Sequence, residues 1–207
     1  MPSNLIILTE VPVAAEHLDK AAATWQQHLD DHAQADHQLY RNLQADTLLE
    51  LTAVTDELAE LAALRQSWKE LWPQLSDYLT GDYRRQLLHH VQSPKPSTGS
   101  LPAGTYLQLR HIEVPPSVYQ EYRAWREETI FDVVRNAGEI QSFDAYHSVF
   151  STEPGVMFVS SFDTTLPEYE AVFQSPRYQQ IVQQAGDRYI VGGDRGLYTT
   201  IYQRLTA

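Results

Sequence analysis

The tripeptide Glu-Val-Pro occurs twice, at residues 10–12 and 113–115. Each copy closes a run of strand-forming residues, Leu5 to Val11 in one case and Tyr106 to Val114 in the other. Internal repetition constrains a fold strongly, because each copy must be a unit able to pack on its twin. Between the copies lies Ser93-Pro94-Lys95-Pro96-Ser97-Thr98-Gly99-Ser100-Leu101-Pro102-Ala103-Gly104. A stretch so rich in Pro, Gly and Ser is expected to sustain neither a helix nor a central strand. It divides the chain into a first unit (1–92), a linker (93–105) and a second unit (106–207).

The order of elements repeats across that linker. After its first strand, the first unit has a helical stretch from about Ala14 to Ala35. A strand pair follows at Tyr40–Leu43 and Leu48–Val54, then a helix beginning at Thr55-Asp56, and a last strand from Tyr83 to Gln92. In the second helix Leu58, Leu61, Leu64, Trp68, Leu71, Trp72 and Leu75 recur at three- and four-residue spacing and predict one buried stripe, with Trp68, Trp72 and Tyr78 as core. The second unit reads as strand Tyr106–Val114, helix Ser117–Ala137, strand Gln141–Ser151, strand Val156–Asp163, helix Leu166–Ala185 and strand Leu197–Arg204, with a turn at Glu153-Pro154-Gly155. A βαββαβ unit lays two helices on one face of a four-stranded antiparallel sheet and leaves the other face open. The fold class expected is therefore α+β, two tandem ferredoxin-like units whose open faces close on each other as an intramolecular α/β barrel. The alternative is two separate α+β domains that dimerise with other chains.

Composition removes several function classes. The 207 residues contain no Cys, which excludes disulfides, thiolate zinc sites and thiol catalysis and suits a reducing cytoplasm. A net charge of −12 argues against nucleic acid and anionic membranes as partners. No stretch approaches a membrane-spanning length. The three lysines, Lys20, Lys69 and Lys95, all precede the second unit, so Schiff-base chemistry is not expected there. No Gly-x-Gly-x-x-Gly follows a strand, no Gly-x-Ser-x-Gly occurs, and Gly192–Gly196 reads as a turn.

The segments YQEYRAWREETI (119–130), FDAYHSVFSTEPGVMF (143–158) and YEAVFQSPRYQQI (169–181) resemble the dimeric α/β-barrel superfamily. That group includes antibiotic-biosynthesis monooxygenases, small polyketide cyclases, NIPSNAP-like proteins and heme-degrading enzymes. The resemblance covers about half of the chain, and the first unit shares only the order of elements. It implies a pocket between sheet and helices in each unit, lined by aromatics, often working on aromatic substrates without metal or flavin. Members that bind heme and members without known catalysis belong to the same group.

Alternation places His147 on the same strand face as Phe143, Ala145 and Val149, where a neutral imidazole can serve as a general base or sit as a hydrogen-bonded core histidine. Arg126 borders the buried stripe of its helix beside Trp125. It is suited either to an anionic substrate group or to an ion pair with Glu121, Glu127 or Asp132, and Arg110 carries the same two readings. His28 and His32, four residues apart near Asp31, read as a solvated helix end, and no metal site is expected; of His89 and His90 at most one looks inward.

These residues lead to a cofactor-independent monooxygenase or cyclase acting on an aromatic or polyketide-like ligand. His147 and Arg126 would be catalytic, and Trp125, Tyr122, Phe143, Phe158 and Arg110 would bind substrate. One alternative is a heme protein with His147 or His89 on iron; another is a non-catalytic accessory protein of the same fold. Further pairing into a homodimer is left open by the sequence.

Overall fold

The structure, a computed structural model, describes residues 1–32, 35–54, 58–151 and 153–205, with the side chains of 58–61 and 194 left aside. The first unit runs β1 (Leu5–Pro12), α1 (Leu18–His32), β2 (His37–Asn42), β3 (Thr47–Val54), α2 (Leu58–Leu75) and β4 (Arg84–Lys95). The second runs β5 (Tyr106–Ile112), α3 (Tyr119–Glu128), α4 (Ile130–Asn136), β6 (Ser142–Phe150), β7 (Val156–Phe162), α5 (Leu166–Gln174), α6 (Pro176–Arg188) and β8 (Leu197–Arg204). The helix start expected at Thr55-Asp56 lies outside the described residues.

All eight strands form one closed antiparallel barrel in the order β1-β3-β2-β8-β5-β7-β6-β4. Within it each unit keeps the ferredoxin-like order, its last strand beside its first, and the two sheets join edge to edge through β2 with β8 and β4 with β6. Closure removes every exposed sheet edge, which is where an open four-stranded sheet is prone to aggregate.

A closed barrel flanked by helices buries both faces of its strands, so three cores form. The lumen is filled from both units by residues such as Leu8, Leu51, Leu88, Leu109, Met157 and Tyr202. Outside the barrel, Val11, Trp25, Leu48, Leu71 and Leu75 join the first unit's helices to its sheet. Tyr122, Phe131, Phe143, Phe158 and Tyr169 do the same in the second unit. Each such side chain contributes about 1.5–3 kcal/mol through burial.

Three local expectations change. β4 continues through Ser93 and Pro94 to Lys95, into the stretch expected to be a linker. Beyond His89 it pairs with β6 alone, and register shifts on either side of Gln92 leave Pro94 outside the ladder, where its missing N–H costs little. The helix expected over Ser117–Ala137 breaks at Thr129, and that over Leu166–Ala185 breaks at Ser175, whose hydroxyl accepts from the Tyr178 N–H and restarts the helix ahead of Pro176. Trp72 is 45% exposed, not core, because α2 turns only Leu71 and Leu75 fully inward along its last turns. Among the described residues no helix is long and apolar enough to cross a membrane.

Candidate functional site

The two units differ in what fills the space between sheet and helices. In the second unit it holds a cluster of buried aromatic rings. Phe143 and Phe158, neighbours across β6 and β7, stand 5.1 Å apart by ring centroid and close against Phe131. Phe162 stacks on Tyr169 at 3.7 Å.

Arg126 lies inside this aromatic box with none of its surface exposed. Its guanidinium carbon sits 4.9 Å from the Phe131 ring, 5.6 Å from Tyr122 and 5.8 Å from Phe158, so the ring faces partly compensate its charge. One nitrogen, Nη2, donates weakly to Gln92 Oε1 at 3.4 Å; Nε and Nη1 have no partner among the described residues, and neither has the buried Tyr122 hydroxyl. The ion-pair alternative for Arg126 is not realised. Glu121 pairs with Arg188, Glu127 with Arg135 and Asp132 with Arg177, all from positions that reach those carboxylates at the surface.

The remaining expected residues fall around this box. Trp125 packs half-buried on Tyr189 at 5.2 Å. Arg110 donates to Tyr178 and to Thr199 Oγ1, and lies over the Phe173 ring at 5.0 Å. His147 is half-buried at the end of the apolar face, its Nδ1 3.1 Å from the Ser148 carbonyl and its ring against Tyr119 and His89. His147 and His89 are cross-strand partners of β6 and β4, while His90 points the other way and meets Ser93 at 2.6 Å.

The first unit is open. A cleft of about 450 Å³ lies between α1, α2 and the β2–β3 face, lined by His28, His32, His37, Glu50, Ser67 and Trp68 among others. A volume of this size lies within the range of small-molecule sites. His28 is 3% exposed, although the sequence pattern placed it on a solvated helix end. Leu18, Ala21, Trp25 and Leu29 form the buried stripe of α1, and His28 continues it one turn past Trp25. Its Nε2 is 2.9 Å from Ser67 Oγ, and its Nδ1 has no partner among the described residues. Burial, assisted by the neighbouring His32, lowers its pKa below the ordinary 6.5, so the ring stays neutral and basic to lower pH.

Glu50 is the second titratable group of the cleft. It stands on β3 with 3% exposure and accepts a hydrogen bond from Thr52 Oγ1 at 2.8 Å. Burial raises its pKa above the ordinary 4.5, against the opposing pull of Thr52 and His37. The folded chain thus holds a proton that the unfolded chain releases, and stability falls as pH rises from about 4.5 through the folded pKa. Glu50→Gln is expected to be more stable than the parent at pH 7 and equal to it below about pH 4, as thermal melts at the two pH values would show.

The repeat shows how the two spaces diverged. At the same distance beyond the Glu-Val-Pro glutamate, the first unit has His28 and the second has Phe131. Glu50 pairs with Thr9, the residue before that glutamate, and its counterpart opposite Ile112 is Val156. Histidine and glutamate in one unit correspond to phenylalanine and valine in the other, which is why one space opens as a polar cleft and the other closes.

No protein-family model and no curated protein sequence matches the chain. Solved structures do. A protein proposed to be a monooxygenase from Fusobacterium nucleatum superposes over 100% of this chain and 94% of its own, with a TM-score of 0.71 and 13% identity. The chain shares that α/β-barrel fold, with all eight strands supplied by one chain. Within the barrel fold, an anthrone oxidase-like protein matches 98% of the chain and 91% of its own at a TM-score of 0.70 and 15% identity. Chlorite dismutase from Candidatus Nitrospira defluvii, in complex with imidazole, matches 98% and 92% at 0.66 and 12%. At these identities the likeness is one of fold alone.

Proposed function

We propose that the chain is a small-molecule enzyme that activates an acidic C–H or phenolic group of an aromatic, polyketide-like ketone without a bound cofactor, and that its working site is the first-unit cleft. One observation carries this reading: a buried base, His28, whose pKa burial lowers, and a buried carboxyl, Glu50, whose pKa burial raises, line the same cleft. Environments that push a base down and an acid up mark acid–base pairs. His28, with Ser67 on its Nε2, takes the substrate proton. Glu50 donates a hydrogen bond to the carbonyl oxygen as negative charge collects there.

The enolate so formed is electron-rich enough to react with O₂ or to close onto a neighbouring carbonyl. In the oxygenation of an active methylene, one oxygen atom stays on carbon as a ketone. The other leaves as water with the two methylene hydrogens. The monooxygenase and anthrone-oxidase names of the structural relatives favour oxygenation over cyclisation. Oxygen uptake with anthrone as substrate tests the proposal: consumption above the buffer rate supports it, and none with fully folded protein overturns it.

A second reading keeps the second unit as the working half, with His147 as base, Arg126 as anion stabiliser, and Trp125, Tyr122, Phe143, Phe158 and Arg110 around the substrate. The unpaired guanidinium of Arg126 favours it, since a buried charge without a counter-ion is costly unless a ligand supplies one. Arg126→Met keeps the volume and removes the charge. It is expected to stabilise the ligand-free protein, by about 1–4 kcal/mol, and to leave turnover unchanged if the first-unit cleft is the working one.

The heme alternative would place iron on His147 or His89. The face of β6 that His147 shares with Phe143 and Ala145 is covered by Phe131 and Phe158, and His89 lies exposed, so these residues do not fit a porphyrin within the unit. Hemin titration is expected to give no saturable Soret shift that depends on His147.

A further inference from the structure

The second unit buries hydrogen-bond donors that no acceptor meets. Tyr119, Tyr122 and Arg126 follow one another along α3 at spacings of three and four residues, so they share one helix face. Tyr122 and Arg126 have none of their surface exposed. Of the guanidinium nitrogens only Nη2 has a partner, Gln92 Oε1 at 3.4 Å. Nε, Nη1 and the buried hydroxyls of Tyr122 and Tyr119 have none among the described residues.

No described group of the unit supplies the missing negative charge. Glu121 is held by Arg188 and the Tyr189 hydroxyl, Asp132 by Arg177, and Glu127 by Arg135 and the Gln92 amide. Asp144 stands on the strand face of β6 opposite to Phe143 and Ala145, where it accepts from Ser93. Burial raises the Tyr122 pKa above its ordinary value of 10, against the pull of Arg126, so Tyr122 stays a hydroxyl donor and is no counter-ion. Arg110 bonds to Tyr178 and Thr199, and it too has no carboxylate partner among the described residues. The interior of this unit is therefore cationic, although the whole chain carries a net charge of −12.

We infer that the second unit holds a small monovalent inorganic anion such as chloride, bound by the Arg126 guanidinium and the Tyr122 hydroxyl. A water molecule would satisfy hydrogen bonds there but not the charge, whose burial without a counter-ion is costly. One negative charge balances the one fully buried guanidinium, whereas a divalent anion would leave an excess charge buried. A spherical ion accepts from donors in any direction, which suits groups on successive turns of one helix. The site differs from the second reading above in that its ligand is inorganic and its place is not the substrate's.

The test is a series of thermal melts of the full chain in which sodium chloride replaces sodium gluconate at constant ionic strength. The melting temperature of the parent is expected to rise with chloride, as it does for any ligand that binds the folded chain alone. Arg126→Met, expected to be the more stable protein without chloride, should show no rise, so the gap between the two narrows as chloride is added. Tyr122→Phe keeps the ring and loses one donor to the anion; it should need about tenfold more chloride for the same rise. A parent whose melt ignores chloride overturns the inference, since water alone would then meet the donors. A rise that both variants share with the parent marks a general salt effect and overturns it as well. Chloride that competes with anthrone in oxygen uptake would place substrate at Arg126, and that too would overturn it.

Discussion

His28→Gln is expected to lower turnover by about 10²–10⁴-fold, the range that a positioned general base contributes. Glutamine keeps a polar side chain of similar reach, so the contact with Ser67 survives while the proton acceptor is lost. Because burial lowers the pKa of the ring, the acid limb of the parent protein's rate profile should fall below the ordinary imidazole value of 6.5, and that limb should vanish from the residual activity of the variant. Oxygen uptake across pH 5 to 8, roughly the span in which an imidazole titrates, checks both points. A variant with parental rate and parental pH profile would remove His28 from the chemistry.

The largest effect on stability is expected in the other unit. Phe158 is 1% exposed and touches Phe143, Phe131 and the Arg126 guanidinium. Phe158→Ala should cost about 3–5 kcal/mol, since the surrounding rings cannot collapse into the space they would leave. In a chain of this length that lowers the melting temperature by about 6–20 °C. It would also strip the buried arginine of a ring face. Trp68→Ala, at the wall of the first-unit cleft, should cost far less, on the order of 1 kcal/mol, chiefly the stacking of Arg85 at 4.2 Å. Comparable losses in the two variants would contradict the division into one packed and one open unit.

Much of the architecture is legible in the sequence. The Glu-Val-Pro repeats and the matched order of runs imply two units, and the open sheet face of each implies closure on the other, which the eight-stranded order shows. The helix breaks at Thr129 and Ser175 are less legible, because each helix continues its apolar stripe across the break. Pro94 within β4 defied a composition rule that holds for strands paired on both sides but not beyond the point where one partner ends.

The candidate site was harder to see for a related reason. In a barrel covered by helices both strand faces are buried, so alternation no longer separates inside from outside. Glu50, in Leu48-Leu49-Glu50-Leu51-Thr52, then looks like one polar residue in an apolar strand; the available signal was a carboxylate at the centre of a strand with no outer face. His28 carried its own signal, the three-residue step from Trp25 along the stripe of α1, masked by the polar residues around it. The isolation of Arg126 depends on Arg135, Arg177 and Arg188 claiming the nearby carboxylates. Sequence spacing alone does not decide between such competitors.

The most direct test of the account is to locate an aromatic ketone on the chain. Backbone amide spectra of the isotopically labelled protein, titrated with anthrone, should show saturable shifts at His28, His32, Glu50, Thr52 and along Ser67–Leu71, with Arg110, Tyr122, Arg126 and His147 unmoved. Shifts centred on Arg126 and His147, or none that saturate, would contradict the assignment of the working site to the first unit.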